Sequence, residues 1–200
     1  MQEDKEFFVL FTDNSKAFDS IHHDLILAAL SKQGFPSWFI NSVNNFLTNV
    51  IVSPSIAPNS IITIGRGVKQ GCLLSPLLFI RCYDVLQFKL SSLSKLKIRA
   101  AADDLALEAN NIRSIIQSFP ILDRYTDASG LGINRDKTVI LSSRNHLSTS
   151  YSFILNKLNK STWPLVKTVL SHKYLGIFFG RNIQVDDVFA APFKKAQEGS

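Results

Sequence analysis

KIRAAADDLALE, residues 97–108, is the stretch that decides the fold of this 200-residue chain. It is apolar on both sides of an Asp-Asp pair, which reads as two strands joined by a tight turn at Asp103-Asp104. A second apolar run, FFVLFTD (7–13), also ends in a carboxylate and reads as a buried central strand. If the two strands are neighbours, Asp13 and Asp103 meet at one sheet edge, where carboxylates are costly to desolvate unless paired or bound to a cation. Hard oxygen ligands of that kind select Mg²⁺. Two such ions about 4 Å apart would clamp the attacking and leaving oxygens of an in-line phosphoryl transfer. The residues alone leave another reading open, in which Asp13 begins a turn and Asp103-Asp104 form an ordinary solvated loop.

Around these strands the periodicity turns helical. Asp19 reads as an N-cap, with Ile21, Leu25, Ala28 and Ala29 at helical spacing and Gly34-Phe35-Pro36 as the stop. Ser37 opens a second helix with Phe39, Val43, Phe46 and Leu47 on one face. Val50-Ile51-Val52 and residues 61–64 flank Pro54 and Pro58 as a loose hairpin. Ser75-Pro76 supplies a cap and a proline at the first position of a third helix, continued by Leu78, Cys82, Val85 and Leu86. Ile112, Ile115, Ile116 and Phe119 mark a fourth, with Pro120 as a kink and Gly130 as its end. Residues 138–142 and 173–179 read as two further strands. This order predicts an α+β domain, one sheet with helices covering its back.

Composition narrows the class. Hydrophobic residues make up 46% and charged residues 19%, which excludes a disordered tail. No apolar run approaches the ~18 residues of a membrane span, and Met1-Gln2-Glu3-Asp4 is acidic where a signal peptide would be basic. An intracellular protein of cytoplasm or nucleus is expected. Cys72 and Cys82 have neither CxxC spacing nor companion histidines, which suits reduced structural thiols. The net charge is +6, and from Lys137 to Arg181 every charged residue is basic. Gathered on one face, such stretches would attract a polyanion through phosphate contacts; spread out, they only keep the surface solvated.

Four segments taken together, FTDNSKAFDSI (11–21), GVKQGCLLSPLLF (67–79), AADDLAL (101–107) and GLGINRDKT (130–138), resemble successive palm motifs of reverse transcriptases. The resemblance is to the non-long-terminal-repeat, LINE-type retrotransposons, and KYLGIFF (173–179) resembles the strand that follows in those enzymes. It implies a reverse-transcriptase-like palm, an antiparallel sheet backed by helices and lacking most of fingers and thumb. The expected domain covers residues 1–180 as a partial palm, with 181–200 as the start of a truncated connection or thumb on a longer native chain.

Carried over residue by residue, the resemblance makes Asp13, Asp103 and Asp104 catalytic carboxylates and metal ligands, joined by the backbone carbonyl of Asn14. The implied cofactor is two Mg²⁺ ions, with Mn²⁺ as the alternative. Phe18 falls at a steric gate that favours deoxynucleotides by clash. Gln70 and Gly71 contact the incoming nucleotide and template, and Lys137 serves the departing pyrophosphate. Tyr174, Leu175 and Gly176 grip the primer end. The implied partners are an RNA template, a DNA primer and deoxynucleoside triphosphates, with no membrane. The sequence departs from the family pattern at Ala101, where an aromatic is usual, and at Leu73, where proline is usual. The expected function is that of an RNA-directed DNA polymerase domain fragment, the alternative a catalytically silent nucleic-acid-binding relic.

Overall fold

The computed structural model of the chain describes residues 6–15, 17–48, 51–52, 62–143, 156, 158–164 and 166–180. The elements run β1 (Phe8–Thr12), β2 (Asn14–Ser15), α1 (Ala17–Ser20), α2 (His23–Lys32), α3 (Ser37–Thr48), β3 (Ile51–Val52), β4 (Ile62–Thr63) and α4 (Leu74–Ser91). They continue with β5 (Leu96–Ala101), β6 (Asp104–Ala109), α5 (Ile112–Ser129), β7 (Gly132–Ile133), β8 (Val139–Ser142), β9 (Lys167–Val169), β10 (Ser171–Tyr174) and β11 (Ile177–Gly180). Two compact units result. One comprises Met1–Asp13, Leu93–Phe119 and Asn134–Ser200; the other comprises Asn14–Ser92 and Pro120–Ile133. The expected carboxy-terminal segment 181–200 lies outside the described residues.

The first unit is built on a five-stranded sheet in the order β5-β6-β1-β8-β9. Its first four strands pair antiparallel and β9 joins β8 in parallel. Side chains alternate across a strand, so β1 divides into two faces. Phe8, Leu10 and Thr12 lie on a face buried almost completely, alongside Leu105, Leu107, Ala109 and Ile140. Val9 and Phe11 belong to the opposite face, where Phe11, Ala106, Val139 and Leu141 form a buried cluster with Val169 and Tyr174 packed on it. The β10–β11 hairpin covers that cluster, with the Tyr174 and His172 rings 4.6 and 5.1 Å from the Phe11 ring.

Both hairpins of this unit differ from the simple sequence reading. Ala101 pairs with Asp104, so the loop is Ala102-Asp103 and Asp104 already opens β6. Residues 173–179, expected as one strand, fold back on themselves: Tyr174 pairs with Ile177 around Leu175-Gly176. Those two carry φ of 49° and 82°, the positive pair that a tight type I′ hairpin turn demands. Glycine adopts such angles freely, whereas a leucine resists them.

Helix ends also shift for local reasons. Asp19 sits inside the single turn of α1 and does not cap α2; the extended His22 precedes α2 with no side-chain cap. Helix α4 begins at Leu74, one residue before the expected cap, and Ser75 is buried within its first turn. Asn111 caps α5, its Oδ1 accepting from the Ser114 N–H at 2.9 Å. Helix α5 runs through Pro120. The proline is exposed, and there water can satisfy the carbonyl that lost its donor. Gly130, at φ 75°, ends the helix as expected.

In the second unit α4 turns Leu78, Phe79, Cys82, Tyr83, Leu86 and Leu90 inward at helical spacing. The Tyr125 hydroxyl donates to the Cys82 carbonyl at 3.1 Å. Both cysteines are free, and burial pushes the Cys82 thiol up to about 12. Among the described residues no helix is long and apolar enough to cross a membrane.

Ala102 is held at φ 54° in the acidic hairpin. A left-handed conformation costs a non-glycine residue about 1 kcal/mol. Ala102→Gly is therefore expected to raise the unfolding free energy by about that much in urea titration; an unchanged or lower midpoint would show the turn to be unstrained.

Candidate active site

The register between β1 and β6 carries the acidic residues together. Thr12 pairs with Leu105, so the next residues outward along the two strands are Asp13 and Asp104. Asp103 precedes Asp104 in the loop. All three are half-buried. The Asp104 carboxyl is pushed above its ordinary value by burial first, then by the negative charges of Asp103 and Asp13. The Tyr174 phenol is likewise raised to about 12, by burial and then by Asp104 and Asp103. Among the described residues its hydroxyl has no hydrogen-bond partner.

A counter-charge approaches from the neighbouring loop. The Asn134 N–H donates to the Asp13 carbonyl at 2.8 Å. The Asn134 side chain accepts from the Lys137 N–H, and its carbonyl accepts from the Thr138 N–H and hydroxyl. This pinned turn directs Lys137, whose Nζ stands 3.4 Å from Asp13 Oδ2. Asp13, Asp104 and Lys137, with Asp136, line a cleft of about 460 Å³, and Asp103 is not among its lining residues. Sequence reasoning missed Lys167, His172 and Lys173, which line it too; their one signal was membership of the acid-free basic stretch.

Among the described residues no three His, Cys, Asp or Glu side chains form a ready-made metal cluster. Donor type and charge nonetheless fit a hard divalent cation. The Asp104 carboxyl is raised by burial and then by the charges of Asp103 and Asp13, and a nearby cation relieves that crowding. Tyr174 closes β10 against Phe11, while Leu175 and Gly176 form the exposed turn beyond it.

The second unit holds the remaining expected residues. Asn14 pairs with Ile133 in a short β2–β7 ladder and its side chain donates to the Tyr83 hydroxyl at 3.2 Å. Phe18 stacks on Phe79 at 4.7 Å. The loop before α4 is stitched to α1: Gly67 N–H donates to the Ile21 carbonyl and Val68 N–H to the Phe18 carbonyl, each at 2.7 Å. A side chain at Gly67 would collide with the Asp19 backbone, its Cβ only 2.7 Å from the carbonyl oxygen. Gln70 donates to Asp19 Oδ1 at 3.1 Å, and Gly71 is exposed at φ 83°. Phe46, Arg66, Lys69 and Gln70 line a cavity of about 280 Å³ here. His22 and His23 hold loops: His22 N–H donates to the Ser129 carbonyl, and a His23 ring nitrogen lies 2.9 Å from the Gly67 carbonyl.

Solved structures share this α+β fold. Telomerase from Candida albicans, in complex with a TWJ fragment of telomeric RNA, aligns over 87% of this chain and 29% of that chain, with TM-score 0.61 and 16% identity. Apo telomerase from Candida tropicalis aligns over 87% and 31%, with TM-score 0.63 and 10% identity. At such identities the likeness is one of fold, and the fold is that of a reverse transcriptase palm. The family model for reverse transcriptase (RNA-dependent DNA polymerase) matches residues 1–179, and the chain belongs to that family.

Similar curated proteins come from retrotransposable elements. It is 28% identical to a retrovirus-related Pol polyprotein from the type-1 retrotransposable element R2 of Popillia japonica, over 90% of this chain. It is 30% identical to the counterpart from the type-2 element R2DM of Drosophila melanogaster, over 86% of this chain. The chain spans 27% and 17% of the length of these relatives.

The raised Asp104 carboxyl has a stability consequence. It binds its proton more tightly folded than unfolded, so stability rests on that proton and is lost as pH rises through the unfolded value toward the folded one. In a chelating buffer at neutral pH, Asp104→Asn is expected to melt above the wild type. The advantage should vanish as pH falls below the ordinary value of 3.8. A wild type that melts higher at neutral pH would contradict the crowding.

Proposed function

We propose that this domain performs RNA-templated DNA synthesis by nucleotidyl transfer. The oxygen of a primer 3′-hydroxyl forms a bond to the α-phosphorus of a deoxynucleoside triphosphate, and its proton leaves. The α–β bridging bond breaks and pyrophosphate departs. The observation that carries this reading is the β1–β6 ladder, whose last pair, Thr12 with Leu105, makes Asp13 and Asp104 the next residues outward, with the Asp104 carboxyl raised by burial and then by Asp103 and Asp13.

In this reading Asp13, Asp103 and Asp104, with the Asn14 backbone carbonyl, would hold two Mg²⁺ ions, or Mn²⁺ in their place. When bound, such ions stabilise charge on the attacking and leaving oxygens. Lys137 exchanges its contact with Asp13 for the leaving pyrophosphate, supplying charge or a proton. Phe18 excludes a ribose 2′-hydroxyl by clash, its ring backed by Phe79. Gln70 and Gly71 meet nucleotide and template, where glycine allows close approach of the main chain. Tyr174, Leu175 and Gly176 hold the primer end.

Primer extension on an RNA template with Mg²⁺ tests the reading. Asp103→Asn is expected to lower extension by about 100-fold or more, the scale on which losing one charge-stabilising group acts. Equal signals from the two proteins would retire the polymerase claim. Phe18→Val is expected to raise ribonucleotide use relative to deoxynucleotide by about tenfold, since a removed clash costs no attraction. An unchanged ratio would reduce Phe18 to a packing partner of Phe79.

A further inference from the structure

Four aromatic rings form a column inside the second unit. Phe18, on the single turn of α1, stacks on Phe79 at 4.7 Å, and Phe79 stacks on Tyr83 at 5.6 Å with the planes 19° apart. Tyr83 meets Tyr125 of α5 edge to face at 6.2 Å. Phe79 and Tyr83 stand one helical turn apart on α4, the spacing that sets side chains one above the other on a helix face. Both are buried, at 1% and 3% exposure, whereas Phe18 is half-buried. The column therefore starts in the core and ends on Phe18.

Each ring is held by the next. The Phe18 main chain is pinned, because its carbonyl accepts the Val68 N–H at 2.7 Å, and only its side chain is left to move. Pushing that ring toward the core means displacing Phe79, which has Tyr83 stacked against it in turn. Tyr83 is fixed twice: the Asn14 side chain donates to its hydroxyl at 3.2 Å, and its ring abuts Tyr125. The Tyr125 hydroxyl is itself bonded to the Cys82 carbonyl. A packed interior has few voids into which such a chain of contacts could yield. Discrimination by clash needs this kind of wall, since a ring that can retreat relieves the clash and admits the larger sugar.

We propose that Phe79 and Tyr83 are positioning residues for sugar discrimination: they back Phe18 so that its ring does not yield to a ribose 2′-hydroxyl. The inference rests on the nucleotidyl-transfer reading, which makes Phe18 the residue that meets the sugar. It extends the determinant inward, from that ring to the column behind it. Neither residue touches the nucleotide; Tyr83 acts through Phe79, and by its ring, not its hydroxyl.

Primer extension on an RNA template, with ribonucleotides and deoxynucleotides in competition, tests this on the full chain. Phe79→Leu is expected to raise ribonucleotide use relative to deoxynucleotide by about threefold, the discrimination that one aromatic pair supplies. In a Phe18→Val background the same substitution should add nothing, because it acts through that ring. Tyr83→Leu should raise the ratio too, whereas Tyr83→Phe, which keeps the ring and loses only the hydroxyl, should keep the wild-type ratio. A general loss of packing lowers the use of both nucleotides alike and leaves their ratio unmoved. An unchanged ratio in Phe79→Leu or Tyr83→Leu, a further rise in the double variant, or equal rises in Tyr83→Leu and Tyr83→Phe would each overturn the proposal. Should Phe79→Leu unfold under assay conditions, Phe79→Met, of similar bulk but flexible, takes its place with the same expected rise. The flip rate of the Phe18 ring needs no polymerase activity. It is read from aromatic NMR line shapes, the signal being assigned by its absence in Phe18→Val, and it should rise in Phe79→Leu. Faster flipping with no extension by wild type sinks the polymerase and spares the backing; extension with ratio and flip rate unchanged does the reverse. No extension and an unchanged flip rate sink both.

Discussion

Everything in the first unit depends on the antiparallel ladder between β1 and β6. Its register is set by burial. Phe8, Leu10, Leu105 and Leu107 all lie on one nearly inaccessible face, and a slip of one residue would turn one strand's set outward. Each such side chain contributes about 1.5–3 kcal/mol when buried. The repulsion among partly solvated carboxylates at the ladder's end is smaller, on the order of 1 kcal/mol per pair. Apolar packing therefore wins, and it forces Asp13 and Asp104 to stand together although their charges oppose it. The buried face thus holds acidic side chains together at the end of the ladder against their own repulsion.

Lys137 supplies some positive charge there, and the strength of its contact matters more than its existence. At 3.4 Å, with a side chain two-thirds exposed, the pair with Asp13 belongs to the weakly stabilising class of surface ion pairs. Its backbone is fixed more firmly, since the Asn134 turn bonds to Asp13 on one side and to Lys137 and Thr138 on the other. A rigid base with a loosely held ammonium can change partners without unfolding anything. In the second unit the loop before α4 shows similar economy: bonds from Gly67 and Val68 to the α1 region fix the main chain, while Gln70 and Gly71 remain exposed.

The sequence was most legible where one physical signal dominated. The apolar run ending in Asp13, the amphipathic α3 and the acidic hairpin all follow from periodicity, and β3–β4 pair as the β-rich pieces on either side of the prolines suggest. It was least legible where two signals conflicted. KYLGIFF reads as a strand because five of its seven residues favour extension or burial, and only Gly176 hints that the chain turns there. Asp19 has the chemistry of a cap, but a single helical turn already encloses it and its carboxylate is taken by Gln70. Lys167 and Lys173 were visible as charge yet not as cleft lining, because only the parallel β8–β9 pairing and the β10–β11 fold-back place their strands beside it. Such pairings join residues without any local pattern linking them.

Ala101 shows why a departure from a family pattern has to be weighed in three dimensions. Loss of an aromatic from a core would leave a cavity costing several kcal/mol. Ala101, however, is exposed, at the end of an edge strand whose side chains mostly face solvent. Lys97 and Arg99 on the same strand, with Lys97 paired to Glu108 at 3.0 Å, are the charges that keep such an edge from pairing with other chains. The small residue therefore leaves the core of the sheet intact. What it gives up is contact area beside the acidic hairpin, while the packing that brings Asp13 and Asp104 to one end of the sheet is untouched.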